Sequence, residues 1–355
     1  EKQITLLATS LPRDEFEVQV IALTRGGPYE TVLKEHQIPV TILNKRFKFD
    51  PFAYFALKKT LLQQQPDILH TWLFAANSYG RMAVKRLPAA QKIPKVIVSE
   101  RCIDSWKSNW QHNVDRRLLP QTSLVVGNSL GVAHFYREQG VPESLLRVVC
   151  NGIPIPDTTV CETTRSQLLQ EHNLPEGARL IAFVGRLARQ KRVEDLLWAV
   201  QLLRQMDDNV YLLIVGEGPE REKLAQLAQK YTAAPNIRFL GHRTDVNRLF
   251  PLFELFLLAS DFEGQSNSIM EAMSYGIPVV ASDIPPNREL VVHGETGFLT
   301  SVGDSTGFAQ FAERILADPE LAKELGTASQ KRMQAEFSVD KMVEGYAALY
   351  REVLT

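Results

Sequence analysis

Two carboxylates, Glu263 and Glu271, stand eight residues apart in the run Glu263-Gly-Gln-Ser-Asn-Ser-Ile-Met-Glu271. Between them lie Gly264, Ser266, Asn267 and Ser268. An apolar helical pattern then continues through Met270, Ala272 and Met273 to Gly276. Small polar residues ahead of such a pattern predict a loop feeding a helix. Ser266, Asn267 or Ser268 supplies the cap, and Gly276 permits a left-handed stop. A helix start directs backbone N–H groups at one spot, where they favour an anion. One molecule could touch both carboxylates while its charged middle rests on the helix start. Hydroxyls at each end with a diphosphate between is the layout of a nucleotide sugar.

Two glutamates at this spacing are ordinarily just solvated, so the setting carries the argument. Leu255-Phe-Leu-Leu-Ala259 reads as a buried strand ending just before the loop, and Ile277-Pro-Val-Val-Ala281 as a strand after the helix. Strand, loop, helix and strand make a βαβ unit, and open α/β sheets bind ligands at the loops that follow strand C-termini. Other strands of the second half end in comparable groups. Gly185, Arg186 and Lys191 follow Leu180-Ile-Ala-Phe-Val184; Gly216 follows Val210-Tyr-Leu-Leu-Ile-Val215; Arg243 follows Ile237-Arg-Phe-Leu240 and Gly241. An arginine fork and a lysine point charge suit a diphosphate and would stabilise it as a leaving group. Gly216 permits close approach of a base or ribose, and Arg243 could lie along a nucleobase. Taken singly, Arg186, Lys191 and Arg243 read more readily as surface cations, and Gly216 equally well as a simple turn. Their order on consecutive strand ends favours one shared ligand.

The rest of the chain predicts the framework. A helix spans 1–12, followed by strands at 18–23 and 40–43 with a helix at 29–37 between them. Asp50-Pro51 caps a helix with Phe52, Phe55, Leu57, Leu61 and Leu62 on its apolar side. Strands follow at 67–72, 96–100, 124–128 and 147–150. Residues 151–178 begin as a turn-rich linker, Asn151-Gly-Ile-Pro-Ile-Pro-Asp-Thr-Thr. The alternation then restarts, with a turn at Asp283-Ile-Pro-Pro and closing helices at 306–317, 320–335 and 338–353. Alternating strands and helices imply two doubly wound α/β domains with parallel sheets and a cleft between them.

Composition bounds the class. The 355 residues suit two domains, with 45% hydrophobic and 23% charged residues as in a globular chain. No apolar run approaches the ~20 residues that span a bilayer. Cys102, Cys150 and Cys161 are too few and too scattered for a zinc or disulfide framework, which suits a reducing, cytoplasmic compartment. Residues 1–160 carry a net charge of +6 and the remainder −7. A basic first half could face anionic lipid or an anionic acceptor, and Trp106, Lys107, Trp110, Arg116 and Arg117 mark an acceptor-side or membrane-facing region. A buried Trp pair with surface cations is the plainer alternative. Near-neutral overall charge and the lack of a recognition motif argue against nucleic acid.

The chain resembles the retaining GT-B glycosyltransferases of family 4 (glycosyl transferases group 1). The motifs are Val184-Gly-Arg186 with Lys191, Val215-Gly-Glu-Gly-Pro219, Glu263 and Glu271 with Glu-Ala-Met-Ser-Tyr-Gly-Ile-Pro-Val-Val-Ala-Ser, Gly294-Glu-Thr-Gly297, Gly140-Val-Pro142 and Asn151-Gly-Ile. The resemblance implies an α/β GT-B fold, two Rossmann-like domains facing across a cleft. Residues 1–155 form the acceptor-side domain, 156–337 the nucleotide-sugar domain, and 338–355 a helix crossing back to the first. It implies transfer of a sugar from a nucleotide-diphosphate donor to a glycan or lipid-linked acceptor in cell-surface polysaccharide or glycolipid synthesis, with no cofactor and no metal. Arg186 and Lys191 would bind the diphosphate, Glu263 the donor sugar and Glu271 the ribose. Amides around Ser266–Ser268 would meet a phosphate, and His70 would lie close to the transferred sugar. Retention would proceed by attack from the departing side, with the leaving phosphate taking the acceptor's proton. A nucleotide-sugar epimerase of the same fold and a non-catalytic nucleotide-sugar-binding protein are the alternatives. The family's opening strand and Gly-Gly-x-Glu loop have no counterpart ahead of Glu1-Lys-Gln-Ile-Thr-Leu-Leu. The resemblance therefore implies a first sheet without an inner strand and a chain weakly active or inactive as written. Peripheral contact with the inner face of an anionic membrane is the expected location.

Overall fold

The computed structural model describes residues 1–104, 107–156 and 165–355. Within them the chain forms two compact units, residues 1–152 with 339–355, and residues 153–338.

The first unit contains strands β1 (Val20–Ala22), β2 (Val40–Ile42), β3 (Ile68–Trp72), β4 (Lys95–Glu100), β5 (Leu124–Gly127) and β6 (Leu146–Val148). Its helices are α1 (Lys2–Ser10), α2 (Pro28–Glu35), α3 (Pro51–Gln64), α4 (Leu73–Lys85), α5 (Asn109–Leu118), α6 (Leu130–Glu138) and the chain's last helix, Val339–Leu354. β3-β4-β5-β6 make one parallel sheet and β1-β2 a separate parallel pair. The last helix packs Met342, Val343, Tyr346 and Tyr350 into a core with Leu7, Leu11, Ile97 and Val126. At ~1.5–3 kcal/mol per buried large apolar side chain, this one contact face contributes much of the unit's cohesion.

Helix α3 starts where the sequence predicts: the Asp50 carboxylate accepts from the Phe52 and Ala53 amides at 3.0 and 3.3 Å. Its buried side differs from the expectation. Ala53, Leu57 and Leu61 face the core, whereas Phe52 and Phe55 are exposed. The helix carries apolar residues nearly all round, so periodicity alone does not select a face. Lys107 is a second correction. It is no outward-facing cation: its ammonium is fully buried, 2.9 Å from Asp104, 3.4 Å from Asp115 and 3.5 Å from Glu100, and within 2.7 Å of the Tyr136 hydroxyl. Trp110 is partly exposed and Arg116 and Arg117 are exposed, while Trp106 lies outside the described residues.

This buried ionic cluster has a pH signature. Burial pushes Glu100 up to about 7, against the pull of Lys107. The folded state therefore keeps a proton that the unfolded chain releases near its ordinary value of 4.5. The resulting stabilisation is complete below the unfolded value and is lost as pH rises through the folded one, a change on the order of 3 kcal/mol. Glu100→Gln removes that linkage. Melting curves should show the parent losing ground to the variant by several degrees between these two pH values. A constant gap would mean that the carboxyl is already ionised in the fold.

The second unit is built on β7 (Arg179–Val184), β8 (Val210–Val215), β9 (Ile237–Gly241), β10 (Leu255–Leu258), β11 (Val279–Ser282) and β12 (Phe298–Thr300). Its helices are α7 (Arg165–Glu171), α8 (Val193–Leu203), α9 (Arg221–Ala228), α10 (Val246–Leu249), α11 (Asn267–Ser274), α12 (Pro285–Leu290), α13 (Ser305–Ala317) and α14 (Pro319–Glu336). The strands form one parallel sheet in the order β12-β11-β10-β7-β8-β9. β10 and β11 are wholly buried, and β7 and β8 nearly so, as expected of parallel strands covered on both faces. The predicted turn at Asp283-Ile-Pro-Pro is instead the entry to α12, whose first two residues are the prolines. Proline lacks the N–H that a first helical turn leaves unused. Of the stretch 151–178, residues 157–164, including Cys161, lie outside the described residues. Among the described residues no helix is long and apolar enough to cross a membrane.

Candidate functional site

Open parallel sheets bind ligands beyond the carboxyl ends of their strands, where the winding reverses. In the second unit the chain winds outward from β7 through β8 to β9, then returns to β7's other side with β10, β11 and β12. The reversal lies between β7 and β10.

There the loops after the two strands are tied together. The Asp261 amide donates to the Gln190 carbonyl at 2.9 Å, and the Gln190 side chain donates to the Phe262 carbonyl at 2.5 Å. Arg192, held at φ +45°, donates to Asp195 at 2.6 Å and to Asp261 at 3.3 Å. These ties set Lys191 against Glu263: the ammonium pairs directly with Oε1 of the carboxylate. Glu263 is only 8% exposed, so the pair is held in a largely dry corner rather than dissolved in solvent. Arg186 lies on the same β7 loop, exposed, and its side chain has no ion pair or hydrogen bond among the described residues. Gln190, Arg192 and Asp261 were not singled out from the sequence. Their only signal was adjacency in the chain to Lys191 and Glu263.

The β8 loop is knitted to the same region. Gly185 donates to the Val215 carbonyl at 3.0 Å, Leu187 to Glu217 at 2.9 Å, and Glu220 to Leu187 at 3.0 Å. Gly216 sits at φ +139°, and a Cβ there would meet the Gly185 carbonyl oxygen at 1.9 Å. Its glycine is required by the neighbouring backbone, before any base or ribose is considered.

Helix α11 begins as its sequence predicts. Ser266 is the cap, its Oγ accepting from the Ile269 amide at 3.4 Å and lying 3.2 Å from the Ser268 hydroxyl. Asn267 opens the helix, and Gly264 and Ser266 are buried in the loop before it. Glu271 is half-buried on the helix's second turn. The helix ends with Gly276 at φ +71°. There the Gly276 amide donates to the Met273 carbonyl and the Ile277 amide to the Ala272 carbonyl, both at 3.0 Å. That pairing satisfies the last carbonyls and turns the chain into β11.

Arg243 and His70 are each held by several partners within the protein. The guanidinium of Arg243 is gripped by Asp245 at 2.8 and 2.9 Å and by Glu171 at 2.9 Å. The Asp245 hydrogen bonds hold its pKa further above the ordinary arginine range. What it retains for a ligand is its flat face. His70, in the first unit, has both ring nitrogens engaged: Nδ1 with the Tyr350 hydroxyl and Nε2 with the Ser99 hydroxyl, each at 2.7 Å. Trp72, Tyr346 and Tyr350 surround the ring. Burial, with a smaller push from Arg101, lowers it to about 3, so the imidazole is neutral. These two hydrogen bonds tie β3 to β4 and to the last helix, and a sugar hydroxyl reaching either nitrogen would exchange with one of them.

With this geometry in hand, the chain can be set beside known proteins. Residues 1–155 match the family model for glycosyltransferase family 4, and residues 164–332 that for glycosyl transferases group 1. The chain is 28% identical over 244 residues to the N-acetyl-alpha-D-glucosaminyl L-malate synthase of Bacillus anthracis, covering 68% of this chain and 63% of that enzyme. It is 26% identical over 336 residues to the putative glycosyltransferase EpsD of Bacillus subtilis, covering 91% and 85%. Among solved structures, HepE of Anabaena in complex with UDP-glucose superposes with a TM-score of 0.85 at 23% identity, over 99% of this chain and 95% of that one. The α/β fold of the GT-B kind is shared with that structure. Two adjoining family matches that together take in nearly all of the sequence lead to one conclusion: the chain belongs to the glycosyltransferases, with a family 4 domain followed by a group 1 domain.

Proposed function

We propose that this chain transfers a sugar from a nucleoside diphosphate-sugar to a glycan or lipid-linked acceptor, with retention at the anomeric carbon. The observation that carries the reading is the Lys191–Glu263 pair at the β7/β10 reversal, with Arg186 exposed on the same loop. In this reading Lys191 and Arg186 take the diphosphate, whose charge needs no metal beside two cations. Glu263 accepts hydrogen bonds from donor-sugar hydroxyls, Glu271 accepts them from the ribose, and the amides at Ser266–Ser268 meet a phosphate. The bond from the anomeric carbon to the diphosphate oxygen breaks, and the bond to the acceptor oxygen forms on the same face. The acceptor's proton passes to the departing phosphate. HepE, a structural neighbour, was solved with UDP-glucose, which supports a nucleotide-sugar donor.

The test is a thermal-shift panel of nucleotide sugars, followed by transfer assays with the best stabiliser and a proton NMR reading of the product's anomeric configuration. The expected result is a donor that stabilises the protein and is turned over with retention. Stabilisation without transfer or donor hydrolysis would favour a pure binding protein, and epimer formation without acceptor a nucleotide-sugar epimerase. An inverted product would overturn the stereochemical assignment.

A further inference from the structure

The exposed rings of the first unit are concentrated in one stretch. Phe47, Phe49, Phe52 and Phe55 are 64%, 61%, 82% and 64% exposed. They lie within residues 44–59, which also hold Lys45, Arg46, Lys48, Lys58 and Lys59. The stretch has one carboxylate, Asp50, and it is buried, accepting from the amides of Arg46 at 2.8 Å, Phe52 and Ala53. On α3, Phe52, Phe55 and Lys59 follow helical spacing on the side opposite Ala53, Leu57 and Leu61, which face the core. A second element joins them. The partly exposed Trp110 on α5 packs edge-on against Phe49 at 5.4 Å, and the Lys48 ammonium lies 5.8 Å over its ring.

An isolated exposed ring needs no explanation, but four in sixteen residues, interleaved with five cations and unrelieved by an exposed carboxylate, do. Rings of this kind settle at the boundary between headgroups and acyl chains, and lysine and arginine beside them reach up to anionic headgroups. The alternation Phe47-Lys48-Phe49 presents ring and cation together along an open loop. That suits a laterally uniform charged surface better than a partner with fixed, shaped pockets. We propose that residues 44–59, with Trp110, form a docking surface for a bilayer containing anionic phospholipid. The inference stands on the first unit alone and does not depend on the donor-site reading.

Co-sedimentation with phosphatidylcholine vesicles, with and without phosphatidylglycerol, tests it. Binding should be at least about tenfold stronger with phosphatidylglycerol and should weaken in high salt. The quadruple variant Phe47→Ser, Phe49→Ser, Phe52→Ser, Phe55→Ser and the pair Lys48→Glu, Lys59→Glu should each weaken it by about tenfold or more. Trp198→Ser with Met206→Ser, which removes exposed apolar residues of the second unit, should leave it unchanged. Because the altered side chains are exposed, melting temperature and nucleotide-sugar thermal shift should match the parent. Those two readouts separate loss of docking from loss of fold or of donor binding. Equal binding to both vesicle types, no binding at all, or a ring variant that sediments like the parent would overturn the proposal.

Discussion

Replacing Glu263 with alanine is expected to abolish sugar transfer, a loss of about 10³-fold or more in kcat/KM, while nucleoside diphosphate still binds. The two halves of this result have different causes. In the proposed reading the carboxylate orients the sugar at the carbon where bonds change, and a lost oriented contact of this kind acts chiefly on the transition state. The diphosphate meets Lys191 instead. With Glu263 gone, the Lys191 ammonium loses its paired carboxylate, so affinity for nucleoside diphosphate should hold or rise. Lys191→Met should lower both transfer and diphosphate affinity. Initial rates and titration calorimetry on the single and double variants would show whether the two residues act as a unit, since groups that do are far from additive. Unimpaired transfer by Glu263→Ala would refute its role, and equal loss of diphosphate affinity would merge the two roles into one.

Gly216→Ala should be nearly as damaging, by a different route. The added methyl would sit 1.9 Å from the Gly185 carbonyl oxygen, at a φ of +139° that side chains rarely adopt. Backbone oxygen cannot swing aside like the end of a flexible side chain, so the loop that carries Arg186 and Lys191 must move. We expect a stability loss of roughly 2–4 kcal/mol and a donor affinity reduced by more than about tenfold. Gly177→Ala is the control, because a Cβ there meets nothing within 4 Å. Denaturant midpoints and donor titrations on both variants check this. A Gly216→Ala protein matching the parent in both would show that the two loops have room to separate.

The elements that depend on near neighbours in the chain were legible. The Asp50 cap of α3, the Ser266 cap of α11 and the Gly276 stop each involve groups within a few residues of one another. The apolar runs that became β7, β8, β10 and β11 were readable because strands buried on both faces need no polar alternation. The α12 helix was missed because Pro285-Pro286 signals a turn as readily as a first helical turn.

Lys191 and Glu263 could each be named from residue type and position after a strand. Their contact across 72 residues follows from β10 pairing with β7, which no local pattern specifies. Arg243 looked available until the fold brought Glu171 to it, and Lys107 looked exposed until Glu100 and Asp115 enclosed it. The partner of His70 Nδ1, the Tyr350 hydroxyl, lies 280 residues on. Phe52 and Phe55 looked like core until Ala53, Leu57 and Leu61 filled that side. Caps and apolar runs are written in short-range chemistry, and so the chain alone settled most of the elements, though not α12, and which loops carry charge. Which charges meet, which face is buried and which rings are left to solvent are long-range outcomes. They depend on strand order and packing, where one residue's partner is set by the whole sheet rather than by its neighbours.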